Sequence, residues 1–127
     1  MTNFYLDASA ITKLVIDEPE SAVLRDRLRG HTLISSRIAV VEVTKAAWRA
    51  NPEANAQPIL RRLAYVELDA DLARLSATTG GAVLRALDAI HIASALRLGS
   101  LVETFVTYDD RQAAAAQGSG LSVTSPS

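Results

Sequence analysis

Short apolar segments alternate with helical segments along this chain, and no tight hairpin turn joins one apolar segment to the next. Phe4–Leu6, Thr32–Ile34, Ala64–Leu68 and Thr104–Val106 are typical of short buried strands, and Leu121–Val123 is a fifth candidate. Because strands that are separated by helices pair in parallel, this alternation predicts an α/β fold. We expect a three-layer α/β/α sandwich around a parallel sheet of about five strands.

Capping residues and helix breakers predict where the helices lie between these strands. Ser35 and Ser36 are predicted to cap a helix that runs through Glu42 to about Trp48. A strongly apolar helix is predicted from Leu87 to Leu98, and the glycine that follows it is a typical stop signal.

Composition restricts what such a fold can do. The chain has 127 residues, 49% of them hydrophobic, and is predicted to form one domain over residues 1–127. Its net charge of -1 provides no large basic face, so any nucleic-acid contact must be local. The absence of cysteine excludes disulfides and thiolate metal sites. No apolar run reaches membrane-spanning length and no secretion signal is recognisable, so we expect no membrane contact and a cytoplasmic protein.

Four carboxylates lie in or directly after apolar stretches, where a strand end or a helix face carries them inward. They are Asp7, Glu42, Asp88 and Asp109. Burying a carboxylate is costly unless it is paired, hydrogen-bonded or bound to a cation. In doubly wound sheets, ligands bind at the carboxyl ends of the strands, where Asp7 and Asp109 are predicted to lie. A shared metal site is one interpretation of this pattern.

Each of these carboxylates also has a simpler interpretation. Asp7, Asp88 and Asp109 stand near predicted helix starts, and aspartate is a preferred N-cap. Glu42 lies in the middle of a helix and cannot cap it, but Lys45, three residues further on, is a candidate for a surface ion pair. Oxygen-only ligation by the four acids would favour Mg²⁺ or Mn²⁺.

The order and spacing of four segments resemble those of PIN-domain ribonucleases. The segments are Tyr5-Leu6-Asp7-Ala8-Ser9, the inward Glu42, Leu87-Asp88-Ala89-Ile90-His91-Ile92-Ala93-Ser94-Ala95 and Val106-Thr107-Tyr108-Asp109-Asp110-Arg111. The resemblance covers essentially the whole chain. Its compact size, short first helical hairpin and closing Gly120-Leu121-Ser122-Val123 are similar to the VapC toxins of bacterial toxin–antitoxin pairs.

This resemblance implies a parallel sheet of strand order 3-2-1-4-5 and a Mg²⁺- or Mn²⁺-dependent endoribonuclease. The implied partners are an RNA substrate, a second copy of the chain and a VapB-type antitoxin that blocks the site. Cleavage is expected to leave a 5′-phosphate and a 3′-hydroxyl. The family's catalytic and metal-binding acids correspond to Asp7, Glu42, Asp88 and Asp109.

Two hydroxyl positions, a less favoured acid and one departure complete the resemblance. The family's hydroxyl residues, which would orient the metal ligands, correspond to Ser9 and Thr107. Asp110 does not match the family spacing after Thr107 and is a less favoured ligand than Asp109. Gln112 stands where the family usually has an apolar residue, which affects packing rather than chemistry.

Three other interpretations are compatible with parts of the sequence. A non-catalytic, RNA- or protein-binding PIN-like module would keep the fold without turnover. A phosphoacceptor domain needs a lysine near the last strands, whereas the only lysines are Lys13 and Lys45. A metal-independent ribonuclease that uses His31 and His91 would leave 2′,3′-cyclic phosphate ends. His91 is one helical turn from Asp88 and is predicted to be a packed, structural histidine.

Overall fold

The computed structural model describes residues 3–127 and contains a five-stranded parallel sheet of order β3-β2-β1-β4-β5. The strands are β1 (Asn3–Leu6), β2 (Thr32–Ser36), β3 (Ala64–Val66), β4 (Thr104–Val106) and β5 (Val123–Thr124). Tyr5 of β1 lies in register with Ile34 of β2 on one side and with Phe105 of β4 on the other. The predicted fold class and strand order are therefore confirmed.

Seven α-helices connect the strands within the described residues. They are α1 (Ala8–Val15), α2 (Ser21–Leu28), α3 (Ala39–Ala50), α4 (Gln57–Leu60), α5 (Ala70–Thr78), α6 (Ala86–Leu98) and α7 (Asp110–Gly118), and a single 3-10 turn (Gly99–Leu101) follows α6. Each parallel crossover thus carries at least one helix, as expected when consecutive strands cannot be joined by a tight turn.

Two apolar clusters cover the two faces of the sheet. Successive side chains of a strand point to opposite faces, so Phe4 and Leu6 enter one cluster and Tyr5 enters the other. Helices α1 to α4 pack on the Phe4 face, while Ile92 of α6 and Ala116 of α7 pack on the Tyr5 face. Helix α5 packs against α6. These contacts form the predicted three layers.

The prediction that Ser35 and Ser36 cap α3 is wrong. Both serines are buried in β2, and the hydroxyl of Ser35 donates a hydrogen bond to the carbonyl oxygen of Leu6 at 2.6 Å. The helix begins only at Ala39 and has no side-chain cap. The side chain of Ser35 is therefore occupied by β1, whereas Ser36 Oγ accepts the backbone N–H of Ile38 at 3.3 Å, before the first residue of the helix.

Two strands are also shorter or shifted compared with the prediction. Strand β3 ends at Val66, because the chain turns at Glu67 and Asp69 then caps α5. Strand β5 starts at Val123 rather than Leu121, because the backbone N–H of Leu121 closes the end of α7 on Ala116. No helix within residues 3–127 is long and apolar enough to cross a membrane.

Candidate functional site

Asp7 is a buried carboxylate at the carboxyl end of the central strand. Its side chain is 4% exposed, and it caps α1 by accepting a hydrogen bond from the backbone N–H of Ala10 at 3.1 Å. Ser9 Oγ donates to Oδ1 at 2.6 Å, and Thr107 Oγ1 donates to Oδ2 at 2.5 Å. Burial raises the pKa of Asp7, and these donors only partly oppose that shift. The capping and inward-facing interpretations of Asp7 are both correct.

The two hydroxyls also join the ends of β1 and β4. Ser9 Oγ accepts the backbone N–H of Tyr108 at 2.9 Å, and Thr107 Oγ1 accepts that of Asp109 at 3.1 Å. Each hydroxyl has one hydrogen, which it donates to Asp7, so the 3.3 Å approach between the two oxygens adds no further donor. This network fixes Asp7 relative to the loop that carries Asp109.

Asp109 caps α7 and is exposed. Its Oδ1 accepts the backbone N–H groups of Arg111 at 2.9 Å and Gln112 at 3.0 Å, and its Oδ2 accepts no hydrogen bond from the described residues. Asp110 is the first residue of α7 and makes no side-chain hydrogen bond or ion pair within the described part of the chain. Asp109 thus caps the helix and Asp110 does not, while the preference for Asp109 as a metal ligand stays a prediction.

Glu42 is held by a chain of buried side chains. Its Oε1 lies 2.7 Å from Nε2 of His91, and Nδ1 of that histidine lies 2.8 Å from the hydroxyl of Tyr5. Because carboxylate oxygens accept, Nε2 of His91 is the donor to Glu42, and the hydroxyl of Tyr5 can then donate to Nδ1. Burial raises the pKa of Tyr5 and keeps its hydroxyl available as a donor. The alternative ion pair between Glu42 and Lys45 is absent within residues 3–127.

Asp88 differs from the other acids because no described residue donates a hydrogen bond to it. It lies in the first turn of α6 and is half-buried, but the N-cap position is occupied by Arg85, so the capping interpretation of Asp88 is wrong. Burial is the main cause that raises the pKa of Asp88, followed by repulsion from Asp109, with a smaller contribution from Glu42. Asp109 and Glu42 therefore lie close enough to Asp88 for their charges to act on it.

The donor set fits a hard divalent cation. The acids provide only oxygen, and a cation would relieve the repulsion that raises the pKa of Asp88. Within residues 3–127, no three acidic, histidine or cysteine side chains converge into a ready-made ligand cage. Mg²⁺ commonly takes one or two carboxylates and keeps water in its other positions, so it does not require such a cage.

Two grooves border the carboxylates. The first has a volume of about 820 Å³ and is lined by Ser9, Glu42 and Lys45, among others. The second has a volume of about 860 Å³ and contains Asp88 in its wall. Leu87 lines the first groove, so the first turn of α6 separates the two.

Sequence reasoning missed part of this arrangement. The role of Tyr5 had no signal beyond the general rule that a buried tyrosine hydroxyl finds a partner. His91 is buried as predicted, but it also contacts Glu42, which lies 49 residues away in sequence. Gln112 is buried, and neither of its side-chain polar atoms has a partner among the described residues.

Comparison with known proteins identifies the family. The family model described as the PIN domain matches residues 4–118. Two solved structures share the fold over nearly the whole chain at low sequence identity. VapC20 of Mycobacterium tuberculosis, described as a toxin that cleaves the sarcin-ricin loop, has a TM-score of 0.76 at 12% identity, covering 97% of this chain and 99% of that one. VapBC2 of Rickettsia felis, bound to a DNA fragment from its promoter, has a TM-score of 0.71 at 14% identity, covering 99% and 100%.

Curated relatives narrow this assignment. Ribonuclease VapC46 of Mycobacterium tuberculosis is 42% identical over the full length of both chains. Ribonuclease VapC35 of the same organism is 39% identical and ribonuclease VapC47 is 35% identical, each covering 96% of both chains. This chain therefore belongs to the PIN-domain family and, within it, to the VapC-type ribonucleases.

Proposed function

We propose that this protein is a Mg²⁺- or Mn²⁺-dependent endoribonuclease that acts as the toxin of a toxin–antitoxin pair. The observation that carries the proposal is the buried Asp7, whose two carboxylate oxygens are both oriented by hydroxyl groups, together with the half-buried Asp88, whose pKa is raised by burial, Asp109 and Glu42. The relatives named ribonuclease VapC support RNA as the substrate.

The residues that would hold the divalent ion are Asp7 and Asp88, with Glu42 and Asp109 contributing directly or through water. When bound, the ion would neutralise charge on the scissile phosphate and make a water molecule a stronger nucleophile. Ser9 and Thr107 keep the oxygens of Asp7 in fixed directions.

Glu42 and His91 act together in this proposal. When Tyr5 donates to Nδ1, His91 donates from Nε2 to Oε1 of Glu42, and Oε2 is then the oxygen that would bind the ion or its water. The arrangement does not suit a histidine-only ribonuclease. His31 packs against Phe4 and His91 against Tyr5, and these successive strand residues point to opposite faces of the sheet.

The proposed partners are an RNA substrate, a VapB-type antitoxin and a second copy of this chain. Val41 and Trp48 of α3 are 59% and 58% exposed, and Val41 lines the groove beside Glu42. Exposed apolar side chains next to a groove suit a protein contact, and we assign this groove to the antitoxin. A single domain over residues 1–127 and a cytoplasmic location are further parts of the proposal.

The test is cleavage of a total RNA pool by antitoxin-free protein with Mg²⁺ or Mn²⁺, followed by mapping of the new ends. We expect 5′-phosphate ends, with loss of cleavage in EDTA and in the Asp109→Asn variant. Asp110→Asn is the matched control, because it removes an adjacent exposed charge that the proposed site does not use. Equal cleavage by the two variants, or 2′,3′-cyclic phosphate ends, would contradict the proposed mechanism. A folded protein that binds metal and RNA without cutting would favour a non-catalytic module.

A further inference from the structure

We propose that the groove between the Gly80–Arg85 loop and α7 binds the backbone of single-stranded RNA next to the cleavage site, with Arg85 and Arg111 contacting phosphates. This inference rests on the proposed function for its substrate class, but it assigns a surface that extends from the carboxylate site at Asp88 to α7. The groove has a volume of about 860 Å³, and Asp88 forms part of its wall. A strand bound there would lead directly to the carboxylates.

The loop that forms one wall has a fixed shape. Gly80 has a φ of 75°, and a Cβ added there would lie 2.5 Å from the side chain of Leu84. A residue with a side chain would therefore be strained and would also displace Leu84, which packs against the apolar cluster on the Tyr5 face. The tip of the loop carries Val83, whose side chain is 94% exposed. Gly80 therefore packs closely on Leu84, and Arg85, at the end of the same loop, lines the groove.

Two arginines line this groove, Arg85 from the loop and Arg111 from α7. Arg85 and Arg111 are both exposed, and neither forms an ion pair with another residue in the described range 3–127. Arg85 is close enough to Asp88 to lower the pKa of that carboxyl in part. Both guanidinium groups are therefore available for an anionic ligand beside the site.

Six of the eleven arginines form no ion pair within residues 3–127, so it is the position of Arg85 and Arg111 beside Asp88, and not the lack of a partner, that distinguishes them. Five arginines form ion pairs with aspartate or glutamate: Arg25, Arg29, Arg37, Arg74 and Arg97. None of these five lines either groove beside the carboxylates. The groove at Asp88 thus combines an open volume with positive charge that the protein leaves unneutralised.

The remaining lining indicates which part of RNA is recognised. The surface of α7 in the groove is formed by Ala114, Ala115 and Gly118, and the groove has no aromatic residue in its wall. Small side chains allow close approach of a sugar–phosphate backbone, whereas base stacking needs aromatic faces. Phosphate contacts position a strand and carry no sequence information. We therefore expect this groove to add affinity with little base preference.

The experiment measures binding of fluorescent oligo(U) and oligo(A) in an Asp7→Asn background with Mg²⁺, over a range of salt concentrations. For single strands, each phosphate contact contributes about 0.7 to the slope of log affinity against log salt. Replacing both arginines in Arg85→Gln/Arg111→Gln should flatten the slope by about 1.4 for both oligonucleotides. Affinity should fall by roughly tenfold per arginine.

Control variants separate charge from folding. Arg74→Gln removes a paired surface arginine on α5 and should leave the slope unchanged. Arg85→Lys/Arg111→Lys keeps both charges and should keep most of the slope. Circular dichroism establishes that each variant is folded.

The outcomes distinguish this inference from the proposed nuclease function. Wild-type cleavage, together with a raised KM and an unchanged kcat in the double glutamine variant, would support both. If the wild type cleaves RNA but the salt slope of the double glutamine variant equals that of Arg74→Gln, the inference about the groove is wrong and the nuclease function stands. A flattened slope in a protein that cuts no RNA would support the groove and contradict the nuclease.

Discussion

Asp7 and Asp88 are the same residue type and are both proposed metal ligands, but their hydrogen bonding and burial differ. Asp7 is 4% exposed and accepts three hydrogen bonds, from Ser9, Ala10 and Thr107. Asp88 is half-buried, accepts none from the described residues, and borders a groove with two unpaired arginines. Burial raises the pKa of both carboxyls, but only Asp88 is also raised by neighbouring acids.

This difference separates a fixed part of the site from an open part. The donors around Asp7 hold its oxygens in one orientation before any ligand arrives, which is the condition for a preorganised ligand. Asp88 accepts no hydrogen bond from the described residues, so it can turn toward an ion or a bound strand without losing one. The comparison predicts that changes at Asp7 are not compensated by added metal, whereas changes at Asp88 are compensated in part.

The largest expected effect comes from Asp7→Asn. Removing the charge of the fixed ligand should lower the cleavage rate by about 1,000-fold, because the ion would lose its most constrained contact. Raising the Mn²⁺ concentration should not restore activity. The measurement is single-turnover cleavage of a mapped RNA substrate, and recovery at high Mn²⁺ would contradict the distinction between the two acids.

A smaller loss is expected for Asp88→Asn, about 100-fold in cleavage rate at limiting Mn²⁺. Since no hydrogen bond fixes this side chain, the amide can reorient, and saturating Mn²⁺ should recover part of the rate. Titration of activity with Mn²⁺ tests this prediction. A loss as large and as unrecoverable as that of Asp7→Asn would place both acids in the fixed part of the site.

The contact between Tyr5 and His91 predicts an effect that is smaller than those of the two aspartate variants. Tyr5→Phe removes the donor that selects the histidine proton position, so Glu42 should be held less firmly and Mn²⁺ affinity should fall by about tenfold. Tyr65→Phe is the matched control, because its hydroxyl bonds the carbonyl oxygen of Leu60 at 2.7 Å. Nitrogen-15 NMR of metal-free protein should show a single Nε2–H form of His91 in wild type. A mixture of proton positions in wild type would remove the basis for this role.

The smallest expected effect concerns stability and follows from the raised pKa of Asp7. The folded metal-free protein binds more protons at Asp7 than the unfolded chain, starting from the ordinary pKa of 3.8, so its stability falls as pH rises through the raised value. The Asp7→Asn variant has no ionisable group at this position. Its free energy of unfolding should therefore increase relative to that of the wild type over the same pH range. Below pH 3.8 this gain should disappear, because both side chains are then neutral. Urea unfolding at several pH values measures the difference, and a gain that grows at low pH would show the opposite sign.

Local sequence signals predicted the parts of the molecule that local interactions determine. Asp7 and Asp109 cap their helices as expected, because an N-cap depends on residues within one turn. The four strands preceding the last were located by their apolar runs. Ser35 shows the limit of this reasoning, since its hydroxyl bonds a strand that lies 29 residues away and not the following helix.

The contacts that organise the site are long-range, and the sequence alone did not contain them. Thr107 reaches Asp7 across 100 residues, and His91 reaches Tyr5 across 86. Their positions depend on β4 lying beside β1 and on α6 covering the Tyr5 face. The resemblance to PIN-domain ribonucleases supplied the strand order and the four acids, but it did not predict which acid is fixed and which is open.

Direct Mn²⁺ binding to metal-free, RNA-free protein is the most direct test of the proposed metal site. Electron paramagnetic resonance of free Mn²⁺ would be followed during titration of wild type, Asp7→Asn, Asp88→Asn and Asp110→Asn. We expect saturable binding in wild type and in Asp110→Asn, and binding at least about tenfold weaker in the other two variants. No saturable binding in wild type, or equal affinity in all four proteins, would contradict the assignment of Asp7 and Asp88 as metal ligands.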